Sequence, residues 1–181
     1  MLIVSKHYRE VDALIVLTGA LDSIISSSST EPVFFCIGSD HHLLDSFGPL
    51  TGSMIKESFP DAIVCGTLDE PLHARNLPVK VNALRRDHPS AIEIAIDASL
   101  GNADNIGMIN LRQGPLLPGK AVAHRLPPLG HYSFTGVVGA YREKTGIRNR
   151  EPVGLANIYH LSKTVSTAIV ECCRNKTNRE G

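Results

Sequence analysis

Val33-Phe34-Phe35-Cys36-Ile37-Gly38-Ser39-Asp40 is an apolar run that stops at a turn and delivers an acid. Two other stretches share that design. Ala62 to Leu68 (AIVCGTL) leads into Asp69-Glu70, and Ala91 to Ile96 (AIEIAI) leads into Asp97-Ala98-Ser99. A half-wet strand alternates apolar and polar residues, whereas these runs are apolar on both faces. They therefore suit strands covered by helices on both sides of a sheet.

The segments between the runs read as helices. Gly48 to Phe59 places Leu50, Met54 and Ile55 about a turn apart, and Pro60 stops it. Asn76 to His88 opens on an Asn cap beside Pro78, carries Val79, Val81 and Leu84, and halts at Pro89. Upstream, residues 9–25 repeat Val11, Leu14, Leu17, Leu21, Ile24 and Ile25 at helical spacing, until SSSST (26–30) and Pro32 end the pattern. Downstream, 107–115 and 132–141 suit two further strands. Between them runs a proline-rich excursion, 114–131, too long for a tight turn. The last helix is expected over about 152–173, with Leu155, Ile158, Tyr159, Ser162, Val165 and Ile169 on one face and a flexible tail over 174–181. Strand–helix alternation predicts an α/β fold, a three-layer α/β/α sandwich around a mostly parallel mixed sheet. No repeat or linker divides the chain, so residues 1–181 are read as one domain.

Composition narrows the function classes. The 181 residues are 43% hydrophobic and 20% charged, with 18 basic against 18 acidic side chains. That balance gives no electrostatic footprint for nucleic acid. No apolar stretch approaches the roughly 18 residues of a membrane span, and MLIVSKHYRE lacks the pattern of a signal peptide. A cytoplasmic protein is expected, binding neither nucleic acid nor membrane, with a homo-oligomer left open. Cys36 and Cys65 lie inside apolar runs, Cys172 and Cys173 are adjacent, and no CxxC occurs, so all four are read as reduced structural thiols.

Ligands in open α/β sheets meet the carboxyl ends of the strands. The first loop there, GSDHHLLDSFGPLTG (38–52), supplies Asp40, His41, His42 and Asp45 just ahead of a helix whose Pro49 fits the first turn. Asp45 can serve simply as a helix cap and Asp40 as a turn residue. Asp97 is different, since a carboxylate that follows a buried run must be hydrogen-bonded, paired or functional. If its strand neighbours the first, Asp97 and Asp45 share a crevice, and one keeps a proton while the other becomes a base. Such a pair activates water for hydrolysis. Asp69, Glu70 and His73 cluster after the second strand. Asp40, His41, His42 and His73 carry metal-ligating atoms, but such residues are common in loops, and no metal or cofactor is expected. Neither GxSxG nor a Gly-rich phosphate loop is present, and Arg75 and Arg112 have the ordinary reading of surface arginines.

Asp45-Ser46-Phe47-Gly48-Pro49-Leu50 and Ile96-Asp97-Ala98 resemble the two aspartate motifs of bacterial germination (spore) proteases, which digest small acid-soluble spore proteins. They are also similar to the Glu/Asp-x-Phe-Gly loop and Asp-Ala strand end of hydrogenase-maturation endopeptidases. The closer resemblance is to a sporulation-protease family of spore-forming bacteria. Its pattern of Gly-Ser-Asp, Asp-x-x-Gly-Pro-Leu, Gly-Thr-Leu-Asp-Glu-Pro, Ile-Asp-Ala and Thr-Gly-Val is met between about 33 and 170, most specifically at Gly66 to Ala74.

The resemblance implies a phosphorylase/hydrolase-like sandwich and a peptidase-like hydrolase with catalytic Asp45 and Asp97. Gly38, Ser39, Asp40, Asp69 and His131 would line a site for a protein or peptide substrate, spore proteins among them. Two departures bear on that. His41-His42-Leu43-Leu44 replaces a small, polar stretch, and His131 stands where relatives often carry an aspartate, which leaves a third acid unassigned. Two other readings stay open. One is a non-catalytic binding or assembly protein of sporulation. The other is a hydrogenase-maturation-type endopeptidase, whose nickel-recognising histidine has no counterpart located in the sequence.

Overall fold

A computed structural model describes residues 1–118, 127–144, 147–150 and 154–180. In chain order the elements are β1 (Leu2–His7), α1 (Ala13–Ile25), β2 (Val33–Cys36), α2 (Phe47–Ser58), β3 (Ile63–Cys65), α3 (Leu77–Asp87), β4 (Glu93–Gly101), β5 (Met108–Gln113), β6 (Tyr132–Lys144), β7 (Ile147–Arg150) and α4 (Leu155–Glu180). The sheet order is β1-β5-β6-β4-β2-β3, with β7 pairing β6. The pairs β2–β3, β2–β4 and β4–β6 are parallel, while β5 runs antiparallel to β1 and β6.

Two apolar layers hold helices against the sheet. On one face Leu17 and Leu21 of α1, Ile55 of α2 and Ile158, Leu161 and Ile169 of α4 pack with Phe34, Ile94, Ile96 and Phe134. On the other, Leu77 and Val81 of α3 cover Val33, Phe35 and Ala95. Alternate residues of β2 and β4 thus enter opposite cores, which is why their sequences are apolar throughout. The α/β sandwich read from the sequence is the fold of the chain.

The boundaries teach more than the type. The amino-terminal residues, noted in the sequence only for lacking a signal pattern, form edge strand β1. The first helix starts at Ala13 instead of residue 9, leaving Val11 fully exposed. Lys6 Nζ bonds both Glu10 and Asp12, and Glu10 Oε1 accepts the His7 N–H, so a charged turn occupies the expected first helical turn. Val79, Leu155 and Tyr159, expected on apolar faces, are exposed. Residues 119–126 of the proline-rich excursion and the expected start of the last helix, 152–153, lie outside the described residues.

The expected flexible tail is helical instead, since α4 continues to Glu180. Three side chains anchor it. Arg174 donates to the Ser58 carbonyl, Lys176 to the carbonyls of Ser28 and Thr30, and Arg179 to Asp22. Among the described residues no helix is long and apolar enough to cross a membrane.

Candidate active site

Asp97 stands where the ladder steps. β2 ends at Cys36, opposite Ile96, and the Ile37 N–H closes that side on the Ile96 carbonyl at 2.8 Å. On its other side β4 runs on beside β6, pairing Asp97 with Thr135 and continuing to Gly101 and Ala140. The strand expected to end at Ile96 therefore extends past the acid, which projects from inside a strand rather than from a loop. Beyond β2 the chain turns toward β3, and beyond β4 toward β5 and β6. The connections diverge between β2 and β4, where open α/β sheets place their ligands.

Asp45 reaches the same step through a folded loop. The Ser39 N–H donates to the Asp45 carbonyl at 3.0 Å, and the Asp45 N–H to the His42 carbonyl at 2.8 Å, closing a 3₁₀ turn over Leu43–Asp45. Gly38 has φ 147°, and a Cβ there would lie 2.0 Å from the Asp45 carbonyl oxygen. A Cβ on Gly48 would lie 2.0 Å from the Ile37 carbonyl oxygen. Both glycines are required because the end of β2 and the start of α2 lie flush. Asp45 is thereby set just before the first turn of α2, whose unpaired N–H groups favour a carboxylate.

The surroundings of Asp97 act on its charge. Part of Asp97 reaches the surface, but its carboxyl group is enclosed. That burial, and next the negative charge of Asp45, push its pKa up to about 8 against a single opposing hydrogen bond, the Ala98 N–H to Oδ1 at 2.8 Å. A pKa near 8 favours the protonated form of Asp97 at neutral pH.

The other residues of the sequence reading fall in different places. Gly38 seats the Asp45 loop. Ser39 is half-buried, and its Oγ accepts the His41 N–H at 3.2 Å. Asp40 is exposed, with Oδ2 3.5 Å from His41 Nδ1. Asp69 is exposed beyond β3, one strand farther from β4. His131 sits at the opposite, amino edge of the sheet, and Glu93 and His131 exchange backbone and ring hydrogen bonds. The parallel register sets His131 four residues before Thr135, about 13 Å from the level of Asp97. The structure thus does not bring His131 to the aspartates.

Asp40, His41, His42 and His73 do not converge. Among the described residues no three His, Cys, Asp or Glu side chains form a group that could hold a metal. All four cysteines are buried, and burial raises the thiol pKa of each, to about 12 for Cys172 and Cys173, which leaves them unreactive. The sequence reading passed over Thr135 and Asn110, which lie in register with Asp97. Thr135 had a signal, the Thr-Gly-Val piece of the motif pattern; Asn110 had none.

This sandwich, with carboxylates at its switch point, has the fold of a hydrogenase maturation protease. It is similar to the crystal structure of the [NiFe] hydrogenase maturation protease HycI from Thermococcus kodakarensis KOD1. The TM-score is 0.51 at 22% sequence identity, over 85% of this chain and 98% of that one. The chain belongs to the family described as "Protein of unknown function (DUF1256)", which it matches over residues 5–168. It is also 37% identical over 120 residues to "Uncharacterized protein YyaC" of Bacillus subtilis (strain 168). That match takes in 65% of this chain and 58% of the relative, so the chain spans less than two thirds of that protein's length.

Proposed function

We propose that the chain is a peptidase-like hydrolase in which Asp45 and Asp97 activate water. The observation that carries this reading is the enclosed Asp97 carboxyl, protonated at neutral pH beside the charge of Asp45. A structural carboxylate of equal burial would recruit a cation, and this one faces another acid. Asp45, at the amino end of α2, is the base. It takes a proton from water as the water oxygen adds to the amide carbon, while Asp97 gives its proton to the carbonyl oxygen. Collapse then breaks the C–N bond. The nitrogen leaves with the proton held on Asp45, one hydroxyl of the intermediate returns its proton to Asp97, and the products are an acid and an amine.

The substrate of this reading is a protein or peptide. Spore proteins come first among candidates because the Asp45 and Asp97 motifs resemble those of germination proteases. The nickel-recognising variant of the chemistry has less support, since no histidine joins the two aspartates among the described residues. Incubation with isolated spore proteins, followed by mass spectrometry, is expected to show defined cuts that Asp97→Asn abolishes. Intact substrates, or cuts unchanged in well-folded Asp97→Asn, would instead favour a non-catalytic binding protein.

A further inference from the structure

α3 covers the second face of the sheet over the β2–β4 region. Among the described residues no α-helix packs on that face of β6, β5 and β1, although the short turn at Ala103–Asn105 lies near Val137 of β6, and Ser133 and Val137 on either side of Thr135 are buried. Register decides which side chains line this half. Asp97 is paired with Thr135, Thr135 with Asn110, and Asn110 with Ser5. Paired residues share a face, and Ala95, two before Asp97, packs in the α3 layer while Ile94 and Ile96 enter the other core. Ile109 and Leu111, flanking Asn110, also enter that other core. Four polar side chains therefore cross four strands in one row on this face. At roughly 4.8 Å per strand the row is about 14 Å long.

The hydrogen bonds along the row leave donors unused. Ser5 Oγ donates to Asn110 Oδ1 at 2.8 Å, which fixes the carboxamide with its NH₂ as the remaining group. Neither that nitrogen nor the Thr135 hydroxyl bonds a side chain or backbone group of the described residues. Thr135 and Asn110 are half-buried and Ser5 is exposed, so the row is reachable yet partly sheltered. Hydroxyl and carboxamide groups match the carbonyl and N–H groups of a peptide backbone. The one cation beside the row on this face among the described residues of β5 is the exposed Arg112, two residues from Asn110.

The geometry points to the Asp97–Thr135–Asn110–Ser5 row as the binding surface for an extended polypeptide, with Thr135 and Asn110 donating to its backbone carbonyls. The site of cleavage, at the Asp97 end, rests on the hydrolase reading above; the binding surface does not. ¹⁵N-labelled Asp97→Asn protein, chosen because the hydrolase reading gives it the slowest turnover, is titrated with an equimolar random decapeptide library. The expected result is shifts in the backbone signals of Ser5, Asn110 and Thr135 and in the Asn110 side-chain NH₂. Shifts confined to other surfaces, or none, would overturn the proposal.

With a cleaved spore-protein peptide in hand, Thr135→Val and Asn110→Asp should each raise KM at least tenfold with kcat changed less than about threefold, and Thr135→Ser should restore KM. Asn110→Asp keeps the acceptor for Ser5, removes the donor and adds a charge, so the neutral Asn110→Ala, expected to raise KM in the same way, is measured beside it. Cleavage with unaltered KM in Thr135→Val and the Asn110 variants overturns the row and leaves the aspartate pair standing. Shifts along the row without cleavage by the wild type overturn the pair and leave the row standing.

Discussion

One strand carries two enclosed carboxylates with opposite fates. Glu93 opens β4 and Asp97 lies four residues on, so both belong to the same face. Burial pushes both toward the protonated form. At Glu93 the Arg85 guanidinium overrides it, with Nε and Nη2 at 2.6 and 2.8 Å from the two carboxylate oxygens, and the pKa ends below its usual value. At Asp97 the near charge is Asp45, and the pKa ends near 8. Enclosure alone does not tell a structural acid from a reactive one; the sign of the neighbouring charge does.

Removing the acid chemistry at one end of β4 should have the greatest consequence. Asp97→Asn and Asp45→Asn keep shape and lose the exchangeable proton or the base, so each should lower hydrolysis at least about 100-fold. The double variant should be little slower than either single one, because the pair acts as a unit. Multiplying losses, measured as kcat/KM on one peptide, would show two independent groups. At the other end, Arg85→Met leaves Glu93 enclosed without its cation. Destabilisation of about 2 kcal/mol is expected in urea unfolding, below the range for a fully buried pair because the Arg85 side chain is 41% exposed. Activity per folded molecule should not change; a loss there would mean that the two ends of the strand are coupled.

Much of this contrast was legible in the sequence, and the illegible part has physical causes. The apolar runs 33–37 and 91–96 announce central strands, and the acids after them announce the functional edge. That Asp97 would project from within a strand was hidden, because Ala98, Ser99 and Leu100 carry no period and extend the ladder only by pairing with β6. His131 looked like a site residue because it stands where the resembling family often carries an aspartate. Only the parallel register shows that the strand after it begins beside Glu93 at the far edge. β1 was missed since an edge strand need not be apolar on both faces, and Leu2 and Ile3 are indeed exposed. The helical tail was missed because its anchors, Ser28, Thr30, Ser58 and Asp22, are remote in sequence.

The pH dependence of stability should carry opposite signs at the two ends. Asp97 binds its proton more tightly folded than unfolded, so its favourable contribution is complete below about pH 4 and is lost as pH rises toward about 8. Asparagine has no such dependence. The Tm of Asp97→Asn should therefore gain on wild type as pH increases, by roughly 10 °C between pH 5 and 8. Glu93 binds its proton less tightly folded, so its stabilisation is present above the usual glutamate value and disappears as pH falls through the lowered one. The Arg85→Met deficit should accordingly shrink in acid. Parallel curves for both variants would remove the electrostatic basis of the distinction.

Asp22 offers a carboxylate between these extremes, and its variant should do least. Its Oδ2 meets Arg179 Nη2 at 2.8 Å where α4 ends, while its Oδ1 is enclosed without a hydrogen-bond partner. The geometry resembles half of the Glu93–Arg85 pair, but the Arg179 side chain is 53% exposed, and water can take its place when it is removed. Exposed pairs of this kind contribute little, because screening and side-chain entropy offset the attraction. Arg179→Gln should lower Tm by no more than about 2 °C, and 1 M salt should erase even that difference. Arg85→Met should keep most of its deficit in the same salt, since Glu93 stays enclosed. If the two variants fell equally and responded equally to salt, enclosure would not be what gives a carboxylate's partner its weight, and the reading of Asp97 as an acid made reactive by its surroundings would lose its support.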